Sequence, residues 1–234
     1  MTLTELLNIR PGVTAVIGSG GKTTLLRTLG TELAEAGGRV LLCATTKIYP
    51  FPGLPCAHDR AELDALAPSP LLCAGAPLEH GKLTALEVPM ADLAARFDYV
   101  LVEADGSARL PLKAHASHEP VIPPEANRTI CVVGISGFGR PIREAAHRPE
   151  RFAALAGAWA EEAATPENTA RVLVAEALAD RYFFNQADTP ELWEWARRCG
   201  KRLPWPWAAG SLQKGLYFDG NRPEGRRGGL RCWL

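Results

Sequence analysis

Val13-Thr14-Ala15-Val16-Ile17-Gly18-Ser19-Gly20-Gly21-Lys22-Thr23-Thr24 is the stretch that decides the fold of this chain. Its first five residues are apolar or β-branched and end in glycines, which predicts a buried strand. From Thr24 to Ala36, apolar residues at 25, 26, 29, 33 and 36 keep helical spacing, and Gly37-Gly38 stops the helix. Arg39 to Ala44 then predicts a second buried strand. Strand, glycine loop, helix, glycine stop and strand make one βαβ unit, hence a parallel pair with a right-handed crossover.

The loop carries the chemistry. Glycines at 18, 20 and 21 let successive backbone N–H groups point at one place, and the following helix adds its positive end, so the turn is an anion site. Lys22 can reach β- and γ-phosphates, and the Thr23 hydroxyl suits Mg²⁺. The familiar spacing has a glycine where this chain has Val16, so G-x-G-G-K-T-T is a short form of the phosphate loop. The expected fold is α/β, a three-layer P-loop NTPase with a mainly parallel central sheet flanked by helices. The expected ligands are Mg²⁺ and GTP or ATP, held by Gly18, Ser19, Gly20, Gly21, Lys22, Thr23 and Thr24.

Ligands of parallel sheets collect at the carboxyl ends of the strands, and three polar clusters follow apolar runs here. Thr45-Thr46-Lys47 follows the second strand; a threonine there can complete a magnesium shell, and Lys47 can meet an anionic group. Glu103-Ala104-Asp105-Gly106 follows a strand at Tyr99 to Val102. Its carboxylates can hold Mg²⁺ or orient an attacking group, since an unpaired carboxylate at a buried strand end is costly otherwise. Asn185-Gln186-Ala187-Asp188 follows a short strand at 181–184. An aspartate there can accept from guanine N1–H and the exocyclic amine; ordinary capping of a helix opening at Pro190 is the competing account. The ionisable segment 107–119, with Arg109, Lys113, His118 and Glu119, can grip a second substrate or act as a switch, and Lys47 is grouped with it; a surface crossover is the plainer account.

The rest of the chain sets the frame. A short helix at 59–66, strands at 70–74 and near 82–88, a strand at 129–134 and helices at 149–157, 167–178 and 190–199 are expected. A last strand at 204–209 follows, and apolar runs at 216–218 and 230–234 suggest a terminal hairpin. One nucleotide-binding domain over 1–213, with 214–234 as an extension of it, is the default. Trp193, Trp195, Trp205 and Trp207 read as packing. Of 234 residues, 47% are hydrophobic, and 26 Lys plus Arg balance 26 Asp plus Glu, so no global charge recruits nucleic acid or a membrane. No apolar stretch nears the ~20 residues a membrane span needs. The N-terminus carries Glu5 and no signal-peptide pattern. Six cysteines without a C-x-x-C pair read as free thiols, and the expected address is the cytoplasm.

These residues resemble the YqeC family, described as selenium-dependent molybdenum-hydroxylase accessory proteins. The resemblance runs through Val16–Thr24, Ala44–Ile48, Val102–Ser107, Leu110–Lys113, His118–Pro123, His147-Arg148, Asn185–Asp188 and Gly210–Leu212. More broadly the arrangement is similar to metallochaperone GTPases of the SIMIBI class, in which a Glu-x-x-G element follows a core strand. That resemblance implies guanine reading by Asn185 and Asp188, with Ser211 in the loop behind the base. It also implies catalytic work by Lys22, Glu103 and Asp105, and magnesium held by Thr23 with Thr45, Thr46, Glu103 or Asp105. The family has lysine where this chain has Gln186, and the loop is also similar to that of Mur-type ligases, which use ATP. A molybdenum cofactor or a hydroxylase apoprotein is the implied partner. An ATP-dependent kinase or ligase, or a non-catalytic carrier using Cys43 or Cys56, are the alternatives.

Overall fold

A buried parallel strand has neighbours on both faces and both edges, so it reads as an unbroken apolar run, and this chain has several. A computed structural model describes residues 1–221. It shows an α/β fold with one large, mainly parallel sheet of nine strands flanked by helices. In chain order these are β1 (Gly12–Gly18), β2 (Val40–Ala44), β3 (Cys56–Ala57), β4 (Leu71–Ala74), β5 (Tyr99–Glu103), β6 (Ala126–Gly134), β7 (Arg181–Asn185), β8 (Trp207–Ser211) and β9 (Leu216–Asp219).

The chain forms two compact units, each built from non-consecutive segments. The first holds Met1–Ile17, Lys22–Gly106 and Ala116–Ile130. Its strands lie in the order β1-β5-β2-β4-β3, all parallel, with β3 at the edge. Register sets the level of the strand ends. Val16 and Ala44 both align with Glu103, so the first residues beyond β2 and β5 emerge together. Two backbone bonds close that end, from Thr45 N–H to the Glu103 carbonyl (3.1 Å) and from Ala104 N–H to the Val16 carbonyl (3.0 Å). Beneath it, Val13, Leu41, Cys43, Leu72, Val100 and Val102 pack in a core with Leu93 and Phe97.

The second unit holds Gly18–Gly21, Ser107–His115 and the chain from Cys131 on. β7 and β8 are parallel, and β9 returns antiparallel along β8. Helix Pro166–Glu176 starts on a capping box: the Thr165 hydroxyl accepts from Asn168 N–H, and Asn168 accepts from Thr165 N–H. Helix Pro190–Gly200 is capped by the Thr189 hydroxyl. The tryptophans pack as expected, Trp193 lying 4.7 Å from Phe218 and 6.3 Å from Trp207, centroid to centroid.

Three local expectations need correction. The strand foreseen at 82–88 shrinks to Leu83–Thr84, paired antiparallel with Ala76–Pro77, and helix Met90–Arg96 opens directly after Pro89. The last parallel strand lies at Trp207–Ser211 rather than 204–209, because Pro204 and Pro206 cannot donate to a ladder. Leu112–Lys113, within the segment read as irregular, pairs with Ala146–His147. The apolar run at 230–234 lies outside the described residues. Among the described residues no helix is long and apolar enough to cross a membrane.

Candidate functional site

Helix Lys22–Glu35 begins where the glycine loop ends, so the ammonium of its first residue and the hydroxyl of its second are fixed by the helix itself. In the first unit Lys22 is 4% exposed, Glu103 7% and Asp105 0%. The Lys22 ammonium lies 3.2 Å from an Asp105 oxygen and 3.8 Å from a Glu103 oxygen. The Thr23 hydroxyl donates to the other Glu103 oxygen at 2.7 Å. Burying carboxylates is costly unless cations or hydrogen bonds accompany them, and Lys22 and Thr23 are two such companions here. One hydroxyl and two carboxylates, with remaining positions for phosphate oxygens and water, suit magnesium, which seldom takes an all-protein cage. Among the described residues no cluster of three or more His, Cys, Asp and Glu side chains offers a closed metal site.

The neighbouring strand end adds two hydroxyls of different standing. Thr45 donates to the Val121 carbonyl at 2.7 Å, and Val121 N–H in turn donates to the Ala104 carbonyl at 2.8 Å. The Thr46 hydroxyl oxygen is buried with no hydrogen-bond partner among the described residues. An orphaned buried hydroxyl calls for a ligand or water. Thr46 is thus the better of the two candidates for that shell. Thr24 and Lys47 are exposed.

The glycines of the loop are required by close approach. Gly20 sits at φ +85°, and a Cβ there would lie 2.3 Å from the Gly134 Cα; Gly21, at φ +128°, would meet the Asn185 amide nitrogen at 2.4 Å. Ser19 N–H donates to the Val132 carbonyl (2.9 Å), and its hydroxyl donates to the Pro111 carbonyl (2.8 Å). The Pro111 carbonyl also receives Gly134 N–H, so it anchors two segments. Sequence could not single out Pro111, because the working atom is a backbone oxygen.

Asn185 is 5% exposed and clips the loop within the second unit: its amide donates to the Gly20 carbonyl (2.7 Å) and accepts from Leu212 N–H (3.1 Å). Ser211, 1% exposed, accepts from Lys214 N–H. The helix cap that competed for Asp188 is supplied by Thr189 instead. Asp188 Oδ1 is buried without a hydrogen-bond partner among the described residues. Gln186, at φ +69°, accepts from the Ser136 hydroxyl at 2.6 Å.

The second-substrate candidates divide between the units. Lys47, His118 and Glu119 belong to the first, Arg109 and Lys113 to the second. Arg109 and His118 are exposed. Glu119 accepts weakly from Ala116 N–H (3.4 Å). Lys113 is 5% exposed beside His115, whose backbone N–H and ring Nδ1 meet the two oxygens of Glu176 at 2.6 and 2.7 Å. Glu176 carries no motif, which is why sequence did not find it.

Fold and loop together define an α/β protein of the P-loop type, and comparison with known proteins narrows the class. The model of the YqeC protein family matches residues 14–150. An uncharacterized protein YqeC of Escherichia coli (strain K12) is 35% identical over 162 residues, covering 63% of this chain and 62% of the relative. This chain belongs to the YqeC family.

Proposed function

We propose that this chain binds a magnesium nucleoside triphosphate at Gly18–Thr24 and hydrolyses it, with guanine preferred at the base. What carries the proposal is the convergence of buried Lys22, Glu103 and Asp105 with the Thr23 hydroxyl at the start of the helix that follows the glycine loop. A nucleotide arriving with magnesium would set a divalent cation beside those carboxylates and its phosphates beside Lys22. Magnesium would be held by Thr23 with Glu103 or Asp105, Thr46 assisting, and would supply positive charge to phosphate oxygens. Lys22 would exchange its carboxylate partners for β- and γ-phosphate oxygens, and the carboxylate it leaves would orient water. The N–H groups of the loop beyond Ser19 would hold the phosphates in place. Asp188 would take the guanine donors through its orphaned oxygen, while Asn185 positions the loop.

The role as an accessory factor in maturing the cofactor of a selenium-dependent molybdenum hydroxylase, in the cytoplasm, follows from the resemblance alone. The molybdenum cofactor or the hydroxylase apoprotein would be the partner. An ATP-dependent kinase or ligase is the second reading, favoured by Gln186, which is tied to Ser136 where a lysine would lie along a guanosine. A thiolate carrier at Cys43 is disfavoured, because burial pushes that thiol up to about 12.

The test is a panel of GTP, ATP and CTP, each with and without magnesium, read by calorimetry and phosphate release. GTP should bind only with magnesium and release phosphate without an acceptor. ATP binding with phosphate release only after a pterin acceptor is added would replace this reading by the second. Absence of binding for all three would end both.

A further inference from the structure

Sixteen residues lie between Cys56 and Cys73, yet the fold sets them side by side. β3 and β4 run parallel with Cys56 in register with Cys73, and Ala57 with Ala74. The register is locked by Cys73 N–H on the Pro55 carbonyl (2.9 Å) and Gly75 N–H on the Ala57 carbonyl (3.0 Å). Residues aligned on adjacent strands present their side chains to the same face, and strands ~4.8 Å apart lie within the Cα separations that a disulfide spans. β3 is the edge strand and Cys56 is half-buried, whereas Cys73 is 1% exposed.

We propose that Cys56 and Cys73 form a reversible dithiol–disulfide site, oxidised by thiol–disulfide exchange with a low-molecular-weight disulfide. The other cysteines of the core provide the contrast. Burial alone pushes the Cys43 thiol up, and it does the same to Cys199. Cys73, equally buried, is held below the usual thiol range by its pairing with the Cys56 thiol, by the Phe51 backbone and by the nearby His58. Cys56 moves the opposite way, chiefly through the same pairing. The half-buried sulfur on the edge strand is the one a dissolved disulfide reaches first, with Cys73 behind it as the resolving thiol.

The exchange balances. The Cys56 thiolate attacks one sulfur of R–S–S–R and expels R–S⁻, which takes the proton from Cys73. The Cys73 thiolate attacks the Cys56 sulfur of the mixed disulfide and expels the second R–S⁻. Two protein thiols are oxidised and one disulfide is reduced to two thiols. Closure would replace the thiolate beside the Phe51 backbone by a neutral disulfide sulfur. Phe51 lies in the loop following Thr45-Thr46-Lys47, where Arg27 also donates to the Pro52 carbonyl.

The full chain, with Cys232→Ser to remove a thiol outside the described residues, is equilibrated with graded ratios of reduced to oxidised glutathione. It is then alkylated and mapped by peptide mass. The expected result is one titration in which a Cys56–Cys73 disulfide replaces two alkylated thiols, with a higher unfolding midpoint when oxidised. Cys43, Cys131 and Cys199 should become alkylated only after unfolding. Cys73→Ser, or Cys56→Ser at the edge strand should the first fold poorly, should abolish closure, leaving at most a mixed disulfide. The proposal is overturned if the unsubstituted pair stops at glutathione on Cys56 at the most oxidising ratio, or if another cysteine pair forms first.

Discussion

Two buried carboxylate clusters differ in how their contacts are shared. In the second unit Glu176 meets one residue with both oxygens, at 2.6 and 2.7 Å, and both contacts go to His115, whose side chain is 4% exposed. In the first unit one ammonium is shared by two carboxylates at 3.2 and 3.8 Å. Short, paired, two-point contacts hold segments together; here they tie the end of the 107–115 stretch to helix Pro166–Glu176. A long, shared contact gives up its partner cheaply when a better anion arrives. Two short contacts to one residue mark a strut, and longer contacts shared between two carboxylates mark a place for exchange.

Three substitutions can break or sharpen that contrast. Lys22→Ala should weaken Mg-GTP by about a thousandfold, roughly 4 kcal/mol, since a buried charge contact to phosphate is lost. Calorimetry reads this after thermal melting has shown the variant folded; an unchanged isotherm would remove the site. Glu176→Ala should lower unfolding stability by about 3 kcal/mol, because the His115 donors are left buried without their acceptor. Its nucleotide affinity should change far less than its stability in denaturant titration. If affinity fell as steeply as in Lys22→Ala, the strut would be part of the site. Asp188→Asn should weaken GTP by about 2 kcal/mol, near thirtyfold, and leave ATP unchanged, as one carboxylate acceptor becomes a donor. Equal losses for both nucleotides in the same titration would remove base reading from Asp188.

The first βαβ unit was legible in sequence because its signals are local. A β-branched run, three glycines and a leucine stripe need no distant partner to be understood, and β1, the helix from Lys22 and β2 fall within a residue or two of expectation. The starts of helices Pro166–Glu176 and Pro190–Gly200 fall within a residue of expectation for the same reason. The stretch 82–98 misled because strand and helix signals there are short and the pairing of Leu83–Thr84 depends on Ala76–Pro77. Around the candidate site, Lys22, Thr23, Glu103 and Asp105 were named from motif, and the fold brings those four together. Val121 and Pro111, though inside the family-like stretches, were given no role, and Glu176 was not named, since the first two act through backbone oxygens and the third has meaning only opposite His115.

Sequence by itself determined the α/β class, the strand–loop–helix start and the residue types available to meet a phosphate, because each is encoded within a dozen consecutive residues. Tertiary structure alone decided that two carboxylates share one lysine, that Asp188 keeps an oxygen unmatched while Thr189 caps the helix, and that Cys56 faces Cys73. Each of these is set by register between distant strands or by packing between distant segments. A one-residue slip would turn the same side chains to opposite faces, and no local pattern records the register that prevents it.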